Sequence, residues 1–434
     1  PEGCVTFRAM QRRAGPRARL FRDPNIQIRD PNIQKTRLPP GFFFVRLAFV
    51  AKALLPLYFD SAHHYLTIKN LLGDLASNEA VSFRWPTGVY YHIGFQLLSA
   101  MITSTLRADV NDVMLILGQM IVATIPFSVF FPIKHETQSN GAGLFALFLA
   151  GFGWYMPAYT VNWGKYPALT SLPLIVFVLS LAYLAVRYRT IIVGRKYLAL
   201  IALLFSGILL TAFVHSRSLV IFGIIALTGI IVAAWSKLSK LPRVILVCAV
   251  LLGIVLEISL IHTKDVFGPL FDPYWNRGLF VTSLVLVLSL FAQKAYPRLT
   301  FACILASFFL LGALFVPVTV PGYGELTLLD RPFVEMILYL PLALLGGAGL
   351  AGLEQTLQPL TTRRQAVRWG AGSVFIGLIL VNALLNYTLY PSDCCSIVSR
   401  DDLVAIDWLD KHLPPEARIL IASTELRVLA SGSF

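Results

Sequence analysis

Long apolar segments recur along most of this chain, and short loops that carry most of its basic residues separate them. A helix needs about 20 mostly apolar residues to cross a bilayer, and about twelve such runs begin between Gly41 and Trp369. Hydrophobic residues make up 56% of the chain and charged residues only 14%, which is too apolar for one soluble core. The sequence therefore predicts an all-α polytopic membrane protein.

The chain is basic, with 36 Lys and Arg against 23 Asp and Glu and a net charge of +13. Such a balance can indicate a nucleic-acid partner when the basic residues form one face of a soluble domain. Here they lie between apolar runs, which is typical of the cytoplasmic loops of membrane proteins. The sequence predicts membrane lipid as the surroundings and no nucleic-acid partner.

The distribution of Lys and Arg predicts the orientation of the chain. Residues 1–40 form a basic tail that we expect in the cytoplasm. The loops around Arg187, Lys237, Lys294 and Arg363 are basic as well and are expected on the same side. This predicts a multi-pass protein of the plasma membrane with a cytoplasmic N-terminus and an outer C-terminus.

The same orientation limits the number of spans. It places Asp60 and Asn162 both outside, so an even number of crossings must separate them, yet three apolar runs lie between them. Residues 89–104 are the first candidate for a re-entrant or interfacial run, and residues 141–160 are the second. The prediction is about eleven transmembrane helices.

Three regions follow from this pattern. Residues 1–40 are the tail, and residues 41–390 are the transmembrane domain, with a first outer loop at residues 60–88. Residues 391–434 contain a helical pattern, a proline turn and an apolar stretch at residues 418–422 that predicts a strand. This is typical of the start of an outer α/β soluble domain, and it is too short to close a core, so we expect a truncated domain.

The sharpest polar cluster is expected at the end of the first apolar helix, at Asp60. On a helical continuation, His63 and His64 fall at i+3 and i+4, on the same face as the carboxylate. Such a group can deprotonate a hydroxyl or hold a divalent metal, although the spacing fixes no further metal ligand. The alternative is that these polar side chains only mark the membrane interface.

Two later pairs of residues are candidates for binding an anion. His215 and Arg217 lie at the outer end of a span, and a guanidinium presents donors that match phosphate oxygens. Arg331, after Asp330, is a second candidate. The alternative is that neither pair binds a substrate anion. Arg217 can reach toward lipid headgroups, and Asp330 and Arg331 can neutralise each other.

A further outer segment contains Asn162, Trp163 and Lys165, and His92 lies near the start of the apolar run at residues 89–104. We predict that these residues take part in substrate binding. For Lys165 beside Trp163, the alternative is an anchor in the aromatic belt that membrane proteins place at the interface.

Several short segments together resemble the GT-C class of polytopic membrane glycosyltransferases, in particular its prokaryotic branch. The segments are residues 58–65 (YFDSAHHY), 84–92 (RWPTGVYYH), 159–164 (YTVNWG), 213–217 (FVHSR), 330–331 (DR) and 405–417 (AIDWLDKHLPPEA). The resemblance covers most of the chain from about Gly41 onward.

The resemblance implies an inverting enzyme that moves a sugar from a polyprenyl-phosphate donor to an acceptor glycan, lipid or protein on the outer side. It implies that Asp60 acts as the base or a metal ligand, and His215 with Arg217 suit the donor phosphate. The class often has a second acid beside the first, whereas Ser61 and Ala62 stand here. His63 or His64 would then take the auxiliary role, with a divalent metal (Mg or Mn) as an optional cofactor.

Two other functions fit the same sequence. A transporter or flippase of a lipid-linked sugar would show paired internal repeats and ionisable groups near the middle of the membrane. A non-catalytic membrane subunit of a larger complex would leave its outer polar residues scattered, without convergence on one cavity.

Overall fold

A computed structural model describes residues 41–77, 92–188, 193–235, 237–264, 268–320, 324–357, 364–396, 398–414 and 417. The α-helices in these residues are α1 (Gly41–Val50), α2 (Tyr58–Ser77), α3 (Gly94–Leu106), α4 (Val110–Thr137), α5 (Asn140–Phe148), α6 (Tyr166–Arg187), α7 (Arg195–Val214), α8 (Ser218–Trp235), α9 (Lys240–His262), α10 (Leu279–Ala295), α11 (Pro297–Gly312), α12 (Arg331–Ile337), α13 (Tyr339–Leu357), α14 (Arg364–Asn386) and α15 (Arg400–His412). The predicted tail at residues 1–40 and the predicted strand at residues 418–422 lie outside the described residues.

Seven helical segments of the described chain are long and apolar enough to cross a membrane: Val110–Thr137, Asn140–Trp163, Tyr166–Arg187, Arg195–Val214, Ser218–Trp235, Lys240–His262 and Arg331–Leu357. The pair Pro269–Asn276 and Leu279–Ala295, bent by 75°, makes an eighth if it forms one broken span. The all-α polytopic membrane fold is therefore confirmed. The count of about eleven spans stays a prediction, since α11 and residues Gly370–Asn386 are shorter apolar helices.

The helices differ strongly in how much of their surface the protein covers. α5 and α13 are almost wholly buried and form the centre of the bundle, together with much of α4. α7, α8 and α9 instead expose rows of large apolar side chains, among them Phe205, Leu252 and Leu256. Apolar surface of this extent is unfavourable in water, so its surroundings are hydrocarbon.

The first apolar run does not continue as one helix to Asp60. α1 ends and α2 begins after an irregular connection that contains Pro56. Proline lacks a backbone N–H and disfavours helix in the residue before it, which prevents a continuous helix. Asp60 lies in the first turn of α2, so the prediction that it ends the first helix is wrong. α2 does carry His63 and His64 three and four residues after Asp60.

The two weak apolar runs differ in length. α3, which overlaps the run at residues 89–104, has 13 residues and so is about 20 Å long, against a hydrocarbon layer of roughly 30 Å. Asn140–Trp163 has 24 residues, with a π-helical turn at Leu149–Gly153 and a 3-10 turn at Ala158–Trp163. α3 is thus too short to cross alone, which agrees with the first of the two alternatives.

The buried face of α3 is polar and its exposed face is apolar, the reverse of a helix on the surface of a soluble protein. Its polar side chains Gln96 and Ser99 are 0% exposed, whereas Met101 is 58% and Leu98 is 40% exposed. A helix in water would place these residues the other way round. The outward face of α3 therefore fits the apolar part of a membrane leaflet.

We expect a nitroxide label at Met101→Cys to collide more often with oxygen than with a water-soluble nickel complex, because oxygen concentrates in hydrocarbon. Electron paramagnetic resonance in nanodiscs, with the native cysteines replaced, measures both collision rates. Asp407→Cys, on the exposed surface of α15, is the control and should prefer the nickel complex. Equal accessibility at the two positions would show that the outward face of α3 lies in water.

Arg46 is a buried cation that ties three parts of the bundle together. It is 1% exposed, and its Nε donates to Oε1 of Gln119 at 2.8 Å. Its Nη1 donates to the hydroxyl of Tyr387 at 3.2 Å and to the carbonyl of Thr388 at 2.9 Å. A guanidinium can be buried here because these oxygens replace part of its hydration. Arg46 thereby joins α1, α4 and the segment after α14.

Helix α13 packs closely against α10 through its glycines. A Cβ atom at Gly349 or at Gly352 would lie less than 3.0 Å from the carbonyl oxygen of Leu288 or Phe291, respectively. Glycines spaced three residues apart allow two helix backbones to approach, which is common in membrane bundles. This contact holds α10 against the central helix.

Two elements complete the fold. β1 (Pro317–Val320) and β2 (Gly324–Thr327) form an antiparallel hairpin between α11 and α12, which the sequence did not predict. α15 confirms the helix predicted after residue 391, and its N-terminus has a capping box in which Ser399 and Asp402 exchange hydrogen bonds.

Candidate functional site

A cavity of about 490 Å³ opens where the turn between α7 and α8 meets the start of α6, the hairpin and α12. Its polar wall is formed by His92, Lys165, His215, Arg217 and Asp330. The rest of the wall is largely apolar, with side chains from α8, the hairpin and α12 (Val220, Val318, Leu326, Phe333 and Met336). The cavity therefore offers charged and apolar surfaces to the same ligand.

Tight turns place the two cations at this cavity. Arg217 lies in the turn between α7 and α8, where Ser218 Oγ donates to the carbonyl of His215 at 2.6 Å. Lys165 follows Gly164, which has φ +63° and packs so closely on α2 that a Cβ atom would lie less than 3.0 Å from Ser61 Oγ. Glycine is required there both by the left-handed backbone and by the close approach.

Each cation forms an ion pair with a carboxylate from another part of the chain. Lys165 pairs with Asp60, in the first turn of α2, and Arg217 pairs with Asp330. The side chains of Lys165 and Asp60 are 35% and 32% exposed, so this pair is open to solvent. Asp60 is not one of the residues that line the cavity, but it contacts Lys165, which is.

Two buried histidines lie against each other in the cavity wall. The rings of His92 and His215 are 4.5 Å apart between centroids, and His215 also lies 4.7 Å from the ring of Phe333. Burial, followed by the charges of Arg217 and Lys165, lowers the pKa of His215 to about 3. Burial also lowers the pKa of His92 well below its usual value. Both imidazoles are neutral at pH 7 and can act as hydrogen-bonding groups.

His64 lies in the interior, away from the cavity wall. It is 2% exposed, and its Nδ1 lies 2.8 Å from Nε2 of Gln96, which donates the hydrogen bond. Burial lowers the pKa of His64 to about 4, against the opposing effect of Asp60. A neutral imidazole held this way connects α2 to α3, whereas the sequence placed it among the catalytic residues. His63 is partly buried and also lies outside the cavity wall.

The Asp60, His63 and His64 cluster does not fit a divalent metal. The Nδ1 lone pair of His64 is engaged by Gln96, and the carboxylate of Asp60 lies against the ammonium group of Lys165, which repels a cation. Within the described ranges, no group of three or more His, Cys, Asp and Glu side chains has the arrangement of a metal site.

Three other predicted residues lie outside the cavity wall. Asn162 is fully buried, donates to the carbonyl of Tyr159 at 3.1 Å and accepts from the N–H of Ser392 at 2.8 Å. Trp163 packs edge to face against Tyr159 at 5.6 Å. The Nε of Arg331 lies 3.8 Å from a carboxylate oxygen of Glu335, one turn along α12. Their contacts are with the protein itself.

Asp330 lines the cavity, but it was not among the site residues predicted from the sequence. Its Oδ1 accepts from the N–H of Phe333 at 3.1 Å and caps α12, and its other oxygen pairs with Arg217. An Asp followed by a proline two residues later is a helix-start pattern, so the cap could have been predicted. The partner could not, because Arg331 is adjacent in sequence and Arg217 is 113 residues away.

The arrangement is suited to an amphiphile with an anionic head. Lys165 and Arg217 supply positive charge, His92 and His215 supply neutral hydrogen-bonding groups, and the apolar wall can cover hydrocarbon. Comparison with known proteins gives no further guide: no protein-family model matches the chain, and no curated protein matches it.

Proposed function

We propose that this chain is a membrane glycosyltransferase of the GT-C type that transfers a sugar from a polyprenyl-phosphate donor. The observation that supports the proposal is the cavity at which Lys165, Arg217 and the two histidines converge beside Asp60. The convergence argues against a non-catalytic subunit, for which scattered polar residues were expected.

The chemistry of the transfer fits these residues. The acceptor hydroxyl loses its proton to Asp60 and bonds to the anomeric carbon, while the bond from that carbon to the donor phosphate breaks and the phosphate leaves with the electron pair. A single displacement of this kind inverts the anomeric carbon. Lys165 and Arg217 would stabilise the negative charge on the phosphate, and the histidines can donate hydrogen bonds to it.

The membrane topology belongs to the same proposal. We place the cavity at the outer face of the plasma membrane, with the N-terminus in the cytoplasm, the C-terminus outside and about eleven spans. The turns that carry Lys165 and Arg217 and the cap of α12 all lie at the same end of the bundle, because their side chains line one cavity. Sugar transfer would then take place at the outer face of the membrane, where the phosphate of the donor can enter the cavity.

Arg217→Gln is expected to lower kcat/KM for the donor by about 10–100-fold, because a charge-assisted hydrogen bond contributes roughly 1.5–3 kcal/mol. The measurement is transfer from radiolabelled polyprenyl-phosphate hexoses by the purified chain in proteoliposomes, with and without Mg²⁺ or Mn²⁺. Arg331→Gln is the matched control, since this guanidinium lies outside the cavity wall and should leave donor KM unchanged.

Three results would overturn the proposal. The first is the absence of transfer with every hexose donor tested. The second is an equal loss in the Arg217 and Arg331 variants, which would remove the role of the cavity. The third is movement of the donor across the bilayer without transfer of its sugar, which would make the chain a flippase of a lipid-linked sugar.

A further inference from the structure

Both cations of the cavity wall have a carboxylate partner in this structure. Lys165 pairs with Asp60, and Arg217 pairs with Asp330, so the four groups together carry no formal net charge. The two histidines beside them are neutral at pH 7. The cavity therefore has the hydrogen-bond donors that suit an anion, and each of its two cations is already paired with a carboxylate.

A phosphate entering the cavity competes with these carboxylates. It needs the same ammonium and guanidinium N–H groups, and like charges a few ångströms apart repel each other. The pairs are also partly open to solvent, with 27% of the Arg217 side chain and 37% of the Asp330 side chain exposed. Exposed pairs of this kind contribute little to stability, so they can be exchanged.

Both carboxylates keep other stabilising contacts when a pair opens. Asp330 caps α12 through its Oδ1, which accepts from the N–H of Phe333. Asp60 lies in the first turn of α2, where the helix dipole favours negative charge. Neither acid therefore depends on its cation alone to stay in place.

We propose that Asp60 and Asp330 are counter-ions that pair with Lys165 and Arg217 while the cavity is empty and are displaced from them by the phosphate of the donor; this rests on the proposed function. The two exchanges have different consequences. At Arg217, the phosphate replaces Asp330 as the partner of the guanidinium and is bound there. At Lys165, the exchange also releases the carboxylate of Asp60, which then can accept the proton of the acceptor hydroxyl. The base is thus freed only after the donor has bound.

The test is to remove the negative charge of each carboxylate and to measure the binding of a lipid phosphate. Asp330→Asn and Asp60→Asn are each expected to tighten the binding of farnesyl phosphate by roughly three- to tenfold, since a nearby repulsive charge is lost. Asn at position 330 can still cap α12, and Asp330→Ser, another good cap, gives an independent check on folding. Titration calorimetry in nanodiscs of zwitterionic lipid measures the dissociation constants.

Asp393→Asn is the matched control, because this acid is exposed and lies outside the cavity wall. It should leave the affinity for farnesyl phosphate unchanged. If the wild-type chain binds farnesyl phosphate and the Asp60 and Asp330 variants bind it no more tightly, the counter-ion role is wrong and the proposed function stands. If the wild-type chain does not bind farnesyl phosphate at all, the proposed function itself fails.

Discussion

Asp60→Asn should reduce sugar transfer by about 10²–10⁴-fold, the usual contribution of a general base. The amide is nearly the same size as the carboxylate and still suits the first turn of α2, so folding and membrane insertion should be kept. It cannot accept the proton of the acceptor hydroxyl. The measurement is the initial rate of transfer in proteoliposomes, normalised to the amount of protein reconstituted.

Asp74→Asn is the matched control for this change, because Asp74 is an acid on the same helix, well beyond the cavity. It should retain the wild-type rate. An Asp60→Asn protein that transfers sugar at a rate near the wild-type value would show that another group accepts the proton. If the counter-ion role also holds, the Asp60 variant combines tighter phosphate binding with loss of transfer.

Gly349→Ala is expected to lower the stability of the transmembrane domain by about 1–3 kcal/mol, the usual cost of overfilling a packed core. The new methyl group would meet the carbonyl oxygen of Leu288 on α10, and a backbone carbonyl cannot rotate away as a side chain can. Thermal unfolding in detergent, followed by the accessibility of buried cysteines such as Cys303 to a thiol reagent, measures the loss.

Gly377→Ala, in α14, is the control, because no atom outside the adjacent backbone of its own helix lies within 4 Å of the position that its Cβ would take. Alanine has the higher helix propensity, so this variant should be as stable as the wild type or slightly more stable. Equal destabilisation by the two changes would mean that loss of glycine itself matters, and that the contact between α10 and α13 does not.

Much of the architecture could be predicted because hydrophobicity acts over single segments. A run of apolar residues is a property of neighbours in the chain, so the all-α membrane fold and the helix after residue 391 were both predicted correctly. The spacing of His63 and His64 after Asp60 was also predicted, since helical geometry depends only on local sequence. The break between α1 and α2 has a local signal as well, Pro56, which the prediction of one continuous helix did not take into account.

The candidate site was predicted less completely, because its parts are distant in sequence. Lys165, His215, Arg217 and His92 were identified from their types, and all four line the cavity. Their type did not separate them from Arg331, whose guanidinium faces Glu335. Residue type identifies groups that can bind phosphate, whereas the direction of a side chain depends on the turn or helix that carries it.

The order of residues determined, by itself, that this chain folds as helices in a membrane and that a few polar groups lie at the ends of those helices. Only the tertiary structure decided which of these groups meet: Asp330 with Arg217 and Asp60 with Lys165. The physical reason is the distance along the chain over which each interaction acts. Transfer of apolar residues into lipid is a sum over adjacent residues, whereas an ion pair forms only where packing brings two distant parts of the backbone within a few ångströms.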